Sequence, residues 1–244
     1  MTRERPRKTW VLVTRAREQA EETARELHRR GFATLVDPLF EMHRVPFELP
    51  PAEEIQAVVL TSANAVHALA HQLVEKPVYA VGPGTARAAA ARGAFDIRLG
   101  EGEWRSLAER LVRELDPAAG LVLHPSGREV ASRFEEVLEP AGFAYRRVVV
   151  YEMVPREELG SRTRHALQRR AIGAVLLYSP RTAATFARLV HRAGLEAALE
   201  GVVCVCLSEA VAEEIVELPG LEVVVAEERD EKALLAALEA RMGA

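Results

Sequence analysis

The stretch AVVLTSANA at residues 57–65 decides the fold, because a similar stretch, AVLLYSPRT, recurs at residues 174–182. In each stretch an apolar run typical of a buried strand ends at a serine, and a helical pattern begins directly after that serine. Strand patterns of this kind alternate with helical patterns along the whole chain. That alternation predicts parallel sheets covered by helices.

Ten strands and nine helices are predicted from these patterns. The strands are expected near residues 10–15, 33–37, 57–61, 78–82, 96–99, 120–124, 146–151, 173–178, 202–207 and 222–226. The helices are expected near residues 17–30, 63–73, 84–92, 103–115, 128–141, 158–170, 181–193, 208–217 and 230–242. Ten strands make too large a single sheet for 244 residues, so two sheets of five are predicted.

The repeated units are displaced relative to one another. Residues 78–115 share a strand–helix–strand–helix plan with residues 203–242. The strand–helix–strand unit of residues 11–41 precedes its repeat, whereas the matching unit of residues 121–152 follows its own. One economical explanation is that the N-terminal unit completes the sheet of the C-terminal segment.

The predicted fold is therefore α/β, with two similar domains that each contain a five-stranded parallel sheet flanked by helices. Residues 1–37 and 158–244 are predicted to form a discontinuous domain, and residues 43–148 an inserted one. The segments 38–42 and 149–157, which include Pro38 and Pro155, are predicted to run side by side as a two-stranded extended linker.

Composition excludes several classes of function. The net charge of −4 leaves no basic excess for nucleic acid or membrane surfaces. No apolar segment is long enough to span a bilayer and no signal-peptide core is found, so a cytoplasmic protein is expected. Cys204 and Cys206 fall on one face of a predicted strand, and the seven histidines lack ligand spacing. We therefore expect buried thiols and no metal site.

Candidate ligand-binding residues follow from the architecture, because parallel sheets bind ligands beyond the carboxyl ends of their strands. The residues expected there are Thr14, Arg15, Ser62, Ala63, Asn64, Gly82, Gly84, Thr85, Ser126, Gly127, Arg128, Ser179, Arg181 and Ser208. Small and hydroxyl residues at helix starts leave backbone N–H groups exposed, which suits carboxylates. Each also has a structural explanation: the serines as N-caps, the glycines as turn residues and the arginines as surface residues.

The order and spacing of several segments resemble the uroporphyrinogen-III synthase family over nearly the whole chain. The matching segments are residues 11–15, 60–66, 78–86, 149–152 and 177–180. The resemblance implies a lyase that needs no cofactor and cyclises a linear tetrapyrrole, hydroxymethylbilane, to uroporphyrinogen III. The last pyrrole ring is inverted and water is lost. The resemblance further implies a monomer that holds its substrate in a cleft between the domains.

The resemblance also suggests catalytic residues. Tyr151 matches the family's tyrosine and is the first candidate for the acid that assists departure of the substrate hydroxyl. Thr85 is a possible secondary donor. Because Tyr151 ends an apolar strand, it could instead be a packed core or hinge residue.

One departure from the family pattern leaves a second function open. The family's second Gly-x-x-Thr-Ala turn is replaced by LSEAV at residues 207–211, which lacks the glycine and carries an acid at Glu209. A carboxylate there would repel an anionic substrate. The alternative is a non-catalytic two-domain clamp or sensor that binds a small anionic ligand.

Overall fold

Residues 10–69 and 75–243 are described by the structure, a computed structural model, and they contain eleven strands and nine α-helices. The strands are β1 (Trp10–Val13), β2 (Ala33–Val36), β3 (Phe40–Arg44), β4 (Ile55–Leu60), β5 (Val78–Ala80), β6 (Ile97–Leu99), β7 (Leu121–Gly127), β8 (Tyr145–Pro155), β9 (Ile172–Leu177), β10 (Val203–Cys206) and β11 (Glu222–Val225). The helices are α1 (Arg17–Arg29), α2 (Ala63–Leu69), α3 (Pro83–Ala90), α4 (Trp104–Glu114), α5 (Glu135–Leu138), α6 (Ser161–Gln168), α7 (Pro180–Arg192), α8 (Glu209–Glu213) and α9 (Glu231–Met242). The chain divides into two compact units, Met1–Glu41 with Pro155–Ala244, and Met42–Val154.

The first unit contains a five-stranded sheet in the order β11-β10-β9-β1-β2, with every neighbouring pair parallel. Strand β1 lies between β9 and β2, and its Leu12 lies opposite Leu35 of β2 and Val175 of β9. Beyond β1, the Thr14 hydroxyl donates a hydrogen bond of 2.9 Å to the carbonyl of Leu176. A strand from early in the sequence is therefore built into a sheet made mostly of late ones.

Both faces of this sheet are buried. Leu12 and Val175 pack with α6, α7 and α8 on one face, and Cys204 and Cys206 belong to the same cluster. The alternate residues Val11 and Val13 pack with α1 and α9 on the other face. Strands covered on both sides need apolar residues at nearly every position, which explains their apolar sequences. The predicted burial of both cysteines on one face is confirmed.

The second unit contains a sheet in the order β3-β8-β7-β4-β5-β6. The pairs β7–β8, β4–β7, β4–β5 and β5–β6 are parallel. Val58 and Leu60 pack with α2 and α3 on one face. Ala57 and Val59 pack with α4 and α5 on the other. The expected α/β fold, parallel sheets flanked by helices, is confirmed in both units.

The prediction of five strands for the second sheet is wrong, because this sheet has six. The additional strand is β3, which covers part of the segment predicted as a linker. Next to β3, the Val45 N–H donates a hydrogen bond of 3.2 Å to the Val150 carbonyl on β8. Pairing with β8 satisfies main-chain groups that an isolated extended linker would leave to water.

The helix predicted at residues 128–141 is also mostly wrong. Strand β7 continues to Gly127, and α5 has only four residues. The Arg147 guanidinium donates hydrogen bonds to the carbonyls of Gly127 (2.6 Å) and Arg128 (2.7 Å). Those carbonyls would accept the first hydrogen bonds of a helix beginning at Arg128, so β8 favours a different path for the chain.

A buried carboxylate joins the segments where the chain leaves and re-enters the first unit. Asp37, which follows β2 and is 6% exposed, accepts hydrogen bonds from Arg156 Nη1 (2.7 Å) and from the Gly160 N–H (2.8 Å). Arg156 in turn donates its backbone N–H to the Leu39 carbonyl at 2.9 Å. Asp37 thus holds the segment that follows β2 against the segment that follows β8.

We expect Asp37→Ala to lower the free energy of unfolding by about 1.5–3 kcal/mol, because it removes a charged acceptor from two donors. Glu41→Ala is the matched control, since Glu41 pairs with the same Arg156 at 3.3 Å but its side chain is 60% exposed. Its loss should cost less than about 1 kcal/mol. Denaturant titration of the two variants measures both values, and equal losses would contradict this role of Asp37.

Candidate active site

A cavity of 560 Å³ lies at the carboxyl-terminal edge of the second unit's sheet. It is lined by Thr61, Ser62, Val81, Gly102, Glu103, Trp104, Arg105, Glu129, Val130, Ala131, Ser132 and Tyr151. Most of these residues follow the ends of β4, β5, β6 and β7, whereas Tyr151 comes from within β8. This is the edge at which parallel α/β sheets bind ligands.

Tyr151 is held against the main chain of β7. A Cβ atom added at Gly127 would lie 2.8 Å from Cζ and 3.0 Å from the hydroxyl oxygen of Tyr151. The Arg128 N–H donates a hydrogen bond of 2.9 Å to the Tyr151 carbonyl. Within residues 10–69 and 75–243, no protein group hydrogen-bonds the Tyr151 hydroxyl. The structure therefore brings Gly127 and Tyr151 together and leaves the phenol available to a ligand.

The turn after β7 is organised by Arg147. Besides its bonds to the Gly127 and Arg128 carbonyls, Arg147 donates from Nε to the Ser126 Oγ at 2.8 Å. Ser126 is buried, whereas the Arg128 side chain is 61% exposed and pairs with Glu152 at 2.8 Å. Neither Ser126 nor Arg128 lines the cavity, although both support the strand end beside Tyr151.

The residues predicted after β4 divide between the cavity and structural roles. Ser62 lines the cavity, and its Oγ also accepts the Asn64 N–H at 3.1 Å. Ala63 is buried in the unit's interior. Asn64 places its side-chain amide 3.6 Å from the sulfur of Met153. Ser62 is thus the one of the three that reaches the cavity wall.

In the turn from β5 into α3, Val81 lines the cavity, whereas the predicted residues Gly82, Gly84 and Thr85 do not. Gly82 is the N-cap of α3 in an extended conformation, with nothing within 4 Å of an added Cβ. An added Cβ at Gly84 would meet only Arg87 Nη2, at 4.0 Å. Thr85 is buried at 8% exposure. Neither glycine is needed to avoid a clash.

In the first unit, several predicted residues have structural partners. Arg15 pairs with Glu231 at 3.1 Å and lies 4.1 Å from the centre of the Tyr178 ring. The Tyr178 hydroxyl donates to the same Glu231 oxygen at 3.1 Å. Thr14 is bonded to Leu176, as described above. These contacts hold Arg15 and Thr14 in place without any ligand.

The remaining first-unit residues begin helices. Ser179 caps α7, where its Oγ accepts the Thr182 N–H at 3.2 Å. The Arg181 guanidinium lies 4.7 Å from the centre of the Phe40 ring. Ser208 precedes α8 and makes no side-chain cap hydrogen bond. The structural explanation considered for Ser179 is therefore confirmed, whereas Ser208 does not cap its helix.

A buried hydrogen-bond network lies behind the cavity wall. His124 Nε2 is 3.2 Å from the Thr61 hydroxyl, and His124 Nδ1 is 2.7 Å from the Tyr145 hydroxyl. Burial, with a smaller contribution from the Arg147 charge, lowers the pKa of His124 to about 3, so the imidazole is neutral. Burial also raises the pKa of Tyr145, which keeps the phenol protonated. Only Thr61 of this network lines the cavity.

Besides Thr61 and Val81, two stretches of the cavity wall were missed from sequence. One is the start of α4, where Glu103 makes no side-chain cap hydrogen bond. The glycines and tryptophan of GEGEWR at 100–105, directly after a predicted strand, are the signal that could have revealed it. The other is Ser132, which fell inside the mistaken helix at 128–141. Its residue is 8% exposed, and among the described residues its Oγ has no hydrogen-bond partner.

No group of three or more His, Cys, Asp or Glu side chains in the described part of the chain is arranged to hold a metal ion. None of the helices found there is both long and apolar enough to cross a membrane.

Comparison with known proteins finds the same family that the sequence resembles. A family model described as uroporphyrinogen-III synthase HemD matches residues 21–236. No curated protein matches the chain. The uroporphyrinogen-III synthetase of Helicobacter pylori 26695 has a similar fold, with 22% identity, coverage of 96% of this chain and 100% of that chain, and a TM-score of 0.59. The Thermus thermophilus uroporphyrinogen III synthase is 17% identical, with coverage of 96% and 99% and a TM-score of 0.44.

We expect Gly127→Ala to destabilise the protein by about 1–3 kcal/mol, because the new methyl group must displace the Tyr151 ring. Gly82→Ala is the control, since a Cβ there meets nothing within 4 Å, and it should change stability by less than about 1 kcal/mol. Denaturant titration measures both. Gly127→Ala should cost much less in a Tyr151→Ala background, and an unchanged cost would show that the tyrosine is not what Gly127 accommodates.

Proposed function

Because the chain belongs to the uroporphyrinogen-III synthase family, we propose that it cyclises hydroxymethylbilane to uroporphyrinogen III, with inversion of the last pyrrole ring and loss of water. The observation that carries this proposal is the family match across residues 21–236. The cavity beside Tyr151 supports it, because Tyr151 is the tyrosine that resembles the family's own.

We propose that the cavity binds substrate carboxylates through backbone groups more than through basic side chains. Its lining includes one arginine and two glutamates, so side-chain charge alone does not favour an anion. Helix α4, with 11 residues, begins at the cavity wall, and the N–H groups of its first turn are not used within the helix. The Ser132 hydroxyl on the same wall, which has no hydrogen-bond partner among the described residues, is a second group that a ligand oxygen could satisfy.

Other predicted positions stay in the proposal as secondary contacts. The Arg128 side chain is 61% exposed, and its charge would attract an anionic substrate over about a Debye length. The first-unit residues Thr14, Arg15, Ser179, Arg181 and Ser208 remain proposed binding positions at the corresponding strand ends.

The proposed chemistry begins with departure of the terminal hydroxyl of hydroxymethylbilane. The carbon–oxygen bond breaks, the oxygen leaves as water after taking up a proton, and an electrophilic azafulvene remains. The substituted carbon of the last pyrrole then forms a carbon–carbon bond to it. The resulting spiro intermediate reopens and closes with that ring inverted. The protein contributes by holding one conformation of the chain, because the linear substrate also closes unaided to the uninverted isomer.

Tyr151 is proposed to donate a hydrogen bond or proton to the departing hydroxyl. Its phenol lines the cavity and has no protein partner among the described residues, so its proton is available. Thr85 is a secondary candidate, although it does not line the cavity.

The alternative function, a clamp or sensor for a small anion, is favoured by the acidic turn at Ser208-Glu209. Glu209 places a carboxylate in the first turn of α8. A protein that binds an anion without converting it would fit a site whose family turn is replaced by this acidic one.

The direct test is to supply hydroxymethylbilane to the purified protein and to separate isomers I and III of the product by chromatography. We expect isomer III to predominate, and to form faster than isomer I forms in buffer alone. A product mixture and rate equal to those of buffer would reject the enzymatic function. Tight binding of the substrate under those conditions would instead support the clamp.

We expect Tyr151→Phe to lower kcat by about 10- to 1000-fold while changing KM far less, because the hydroxyl interaction forms mainly in the transition state. The ring itself, which packs on Gly127, is retained in this variant. Thr85→Val provides the comparison and should have the smaller effect. Steady-state kinetics on both folded variants decide the ranking, and wild-type turnover by Tyr151→Phe would remove Tyr151 from the mechanism.

A further inference from the structure

The network behind the cavity links the side chains of Tyr145, His124 and Thr61. Within residues 10–69 and 75–243, the Tyr145 hydroxyl meets only His124 Nδ1, and the Thr61 hydroxyl meets only His124 Nε2. His124 is fully buried, so water does not substitute for either contact at the imidazole. The direction of the hydrogen bonds is therefore set by these three residues.

Two directions are compatible with a neutral imidazole, which has one N–H donor and one acceptor nitrogen. In the first, Tyr145 donates to Nδ1, Nε2–H donates to Thr61, and the Thr61 hydroxyl proton is left for a further acceptor. In the second, Thr61 donates to Nε2, Nδ1–H donates to Tyr145, and the phenol proton is left over. In the second, the Tyr145 hydroxyl proton has no acceptor among the described residues, although a phenol is more acidic than the Thr61 hydroxyl and is therefore the stronger donor.

The aromatic surroundings hold this arrangement in place. The centre of the His124 ring lies 5.1 Å from that of Phe134 in an edge-on contact, and the Tyr145 ring stacks on Phe134 at 6.5 Å. These contacts fix both rings by packing as well as by the hydrogen bond. Replacement of the Tyr145 hydroxyl alone would therefore leave the ring positions largely unchanged.

We propose that Tyr145 and His124 are positioning residues that orient the Thr61 hydroxyl as a hydrogen-bond donor into the cavity, where it binds a carboxylate oxygen of the ligand. The position of Thr61 on the cavity wall supports this role. The carboxylate interaction rests on the proposed function, whereas the direction of the hydrogen bonds does not. A carboxylate is present in both ground and transition states, so the contact contributes to binding rather than to the chemical step.

The direction of the network is tested without substrate by ¹⁵N NMR of the histidine side chains. We expect His124 in the wild-type protein to carry its proton on Nε2, with Nδ1 as the acceptor. Assignment comes from the signal that disappears in His124→Gln. A proton on Nδ1, or a doubly protonated ring at neutral pH, would overturn the proposal. Because this measurement needs no turnover, it decides the network even if the protein proves inactive toward hydroxymethylbilane.

The role of the network is tested by steady-state kinetics with hydroxymethylbilane. We expect Thr61→Val to raise KM roughly 10- to 100-fold with kcat little changed, because a charge-assisted hydrogen bond is lost. Thr61→Ser, which retains a hydroxyl, should restore most of the affinity. Tyr145→Phe should raise KM in the wild-type background but have no further effect in the Thr61→Val background.

Tyr79→Phe is the matched control for Tyr145→Phe. Tyr79 is fully buried in the same unit, and its hydroxyl bonds to Glu114 (3.0 Å) and accepts from Arg98, but it does not line the cavity. It should lower stability without raising KM. The proposal would be overturned if Tyr145→Phe and Tyr79→Phe changed KM equally. It would also be overturned if Tyr145→Phe raised KM equally in the wild-type and Thr61→Val backgrounds, because the Tyr145 hydroxyl would then act only through general stability.

Discussion

The parallel pairing of β1 with β9 is the constraint on which the first unit depends. It places a strand from early in the sequence inside a sheet, next to β9, whose other strands apart from β2 come much later. Thr14 and Leu176, which are bonded across this pair, are 162 residues apart. Loop-closure entropy grows only slowly with length, so apolar burial on both faces of β1 can outweigh the cost of this long connection.

The strands were predictable where burial on both faces imposes a continuous apolar run, as in residues 57–60 and 174–177. Prediction failed where a distant partner decides the local structure. Phe40–Arg44 has mixed polarity, and it is a strand because β8 lies beside it. Residues 128–134 have a helical pattern, but Arg147 binds the carbonyls that would start a helix. Neither partner is visible in the local sequence.

The candidate site likewise contains residues that were predictable from the local sequence and residues that depend on distant partners. The rule that ligands lie beyond strand ends led to Ser62, which the structure places at the cavity, and the family resemblance led to Tyr151, which also lines it. The same rule could not distinguish Ser179, which caps a helix. It also gave no sign of His124, because a buried histidine in an apolar strand looks like any core residue until its neighbours are known. The register that pairs Val122 with Tyr145 brings the two rings together.

The discontinuity of the first unit has a consequence for synthesis of the chain on the ribosome. Translation proceeds at about 5–20 residues per second, so β9 emerges roughly 8–32 s after β1. Residues 42–154 are completed within this interval and can fold as a nascent unit. During the same interval the apolar strand β1 lacks a neighbour on one edge and is open to chaperones. In pulse-labelled chains that are stalled before β9 emerges from the ribosome, residues 42–154 should therefore resist protease and β1 should be cleaved. Equal resistance of both segments would exclude this order of folding.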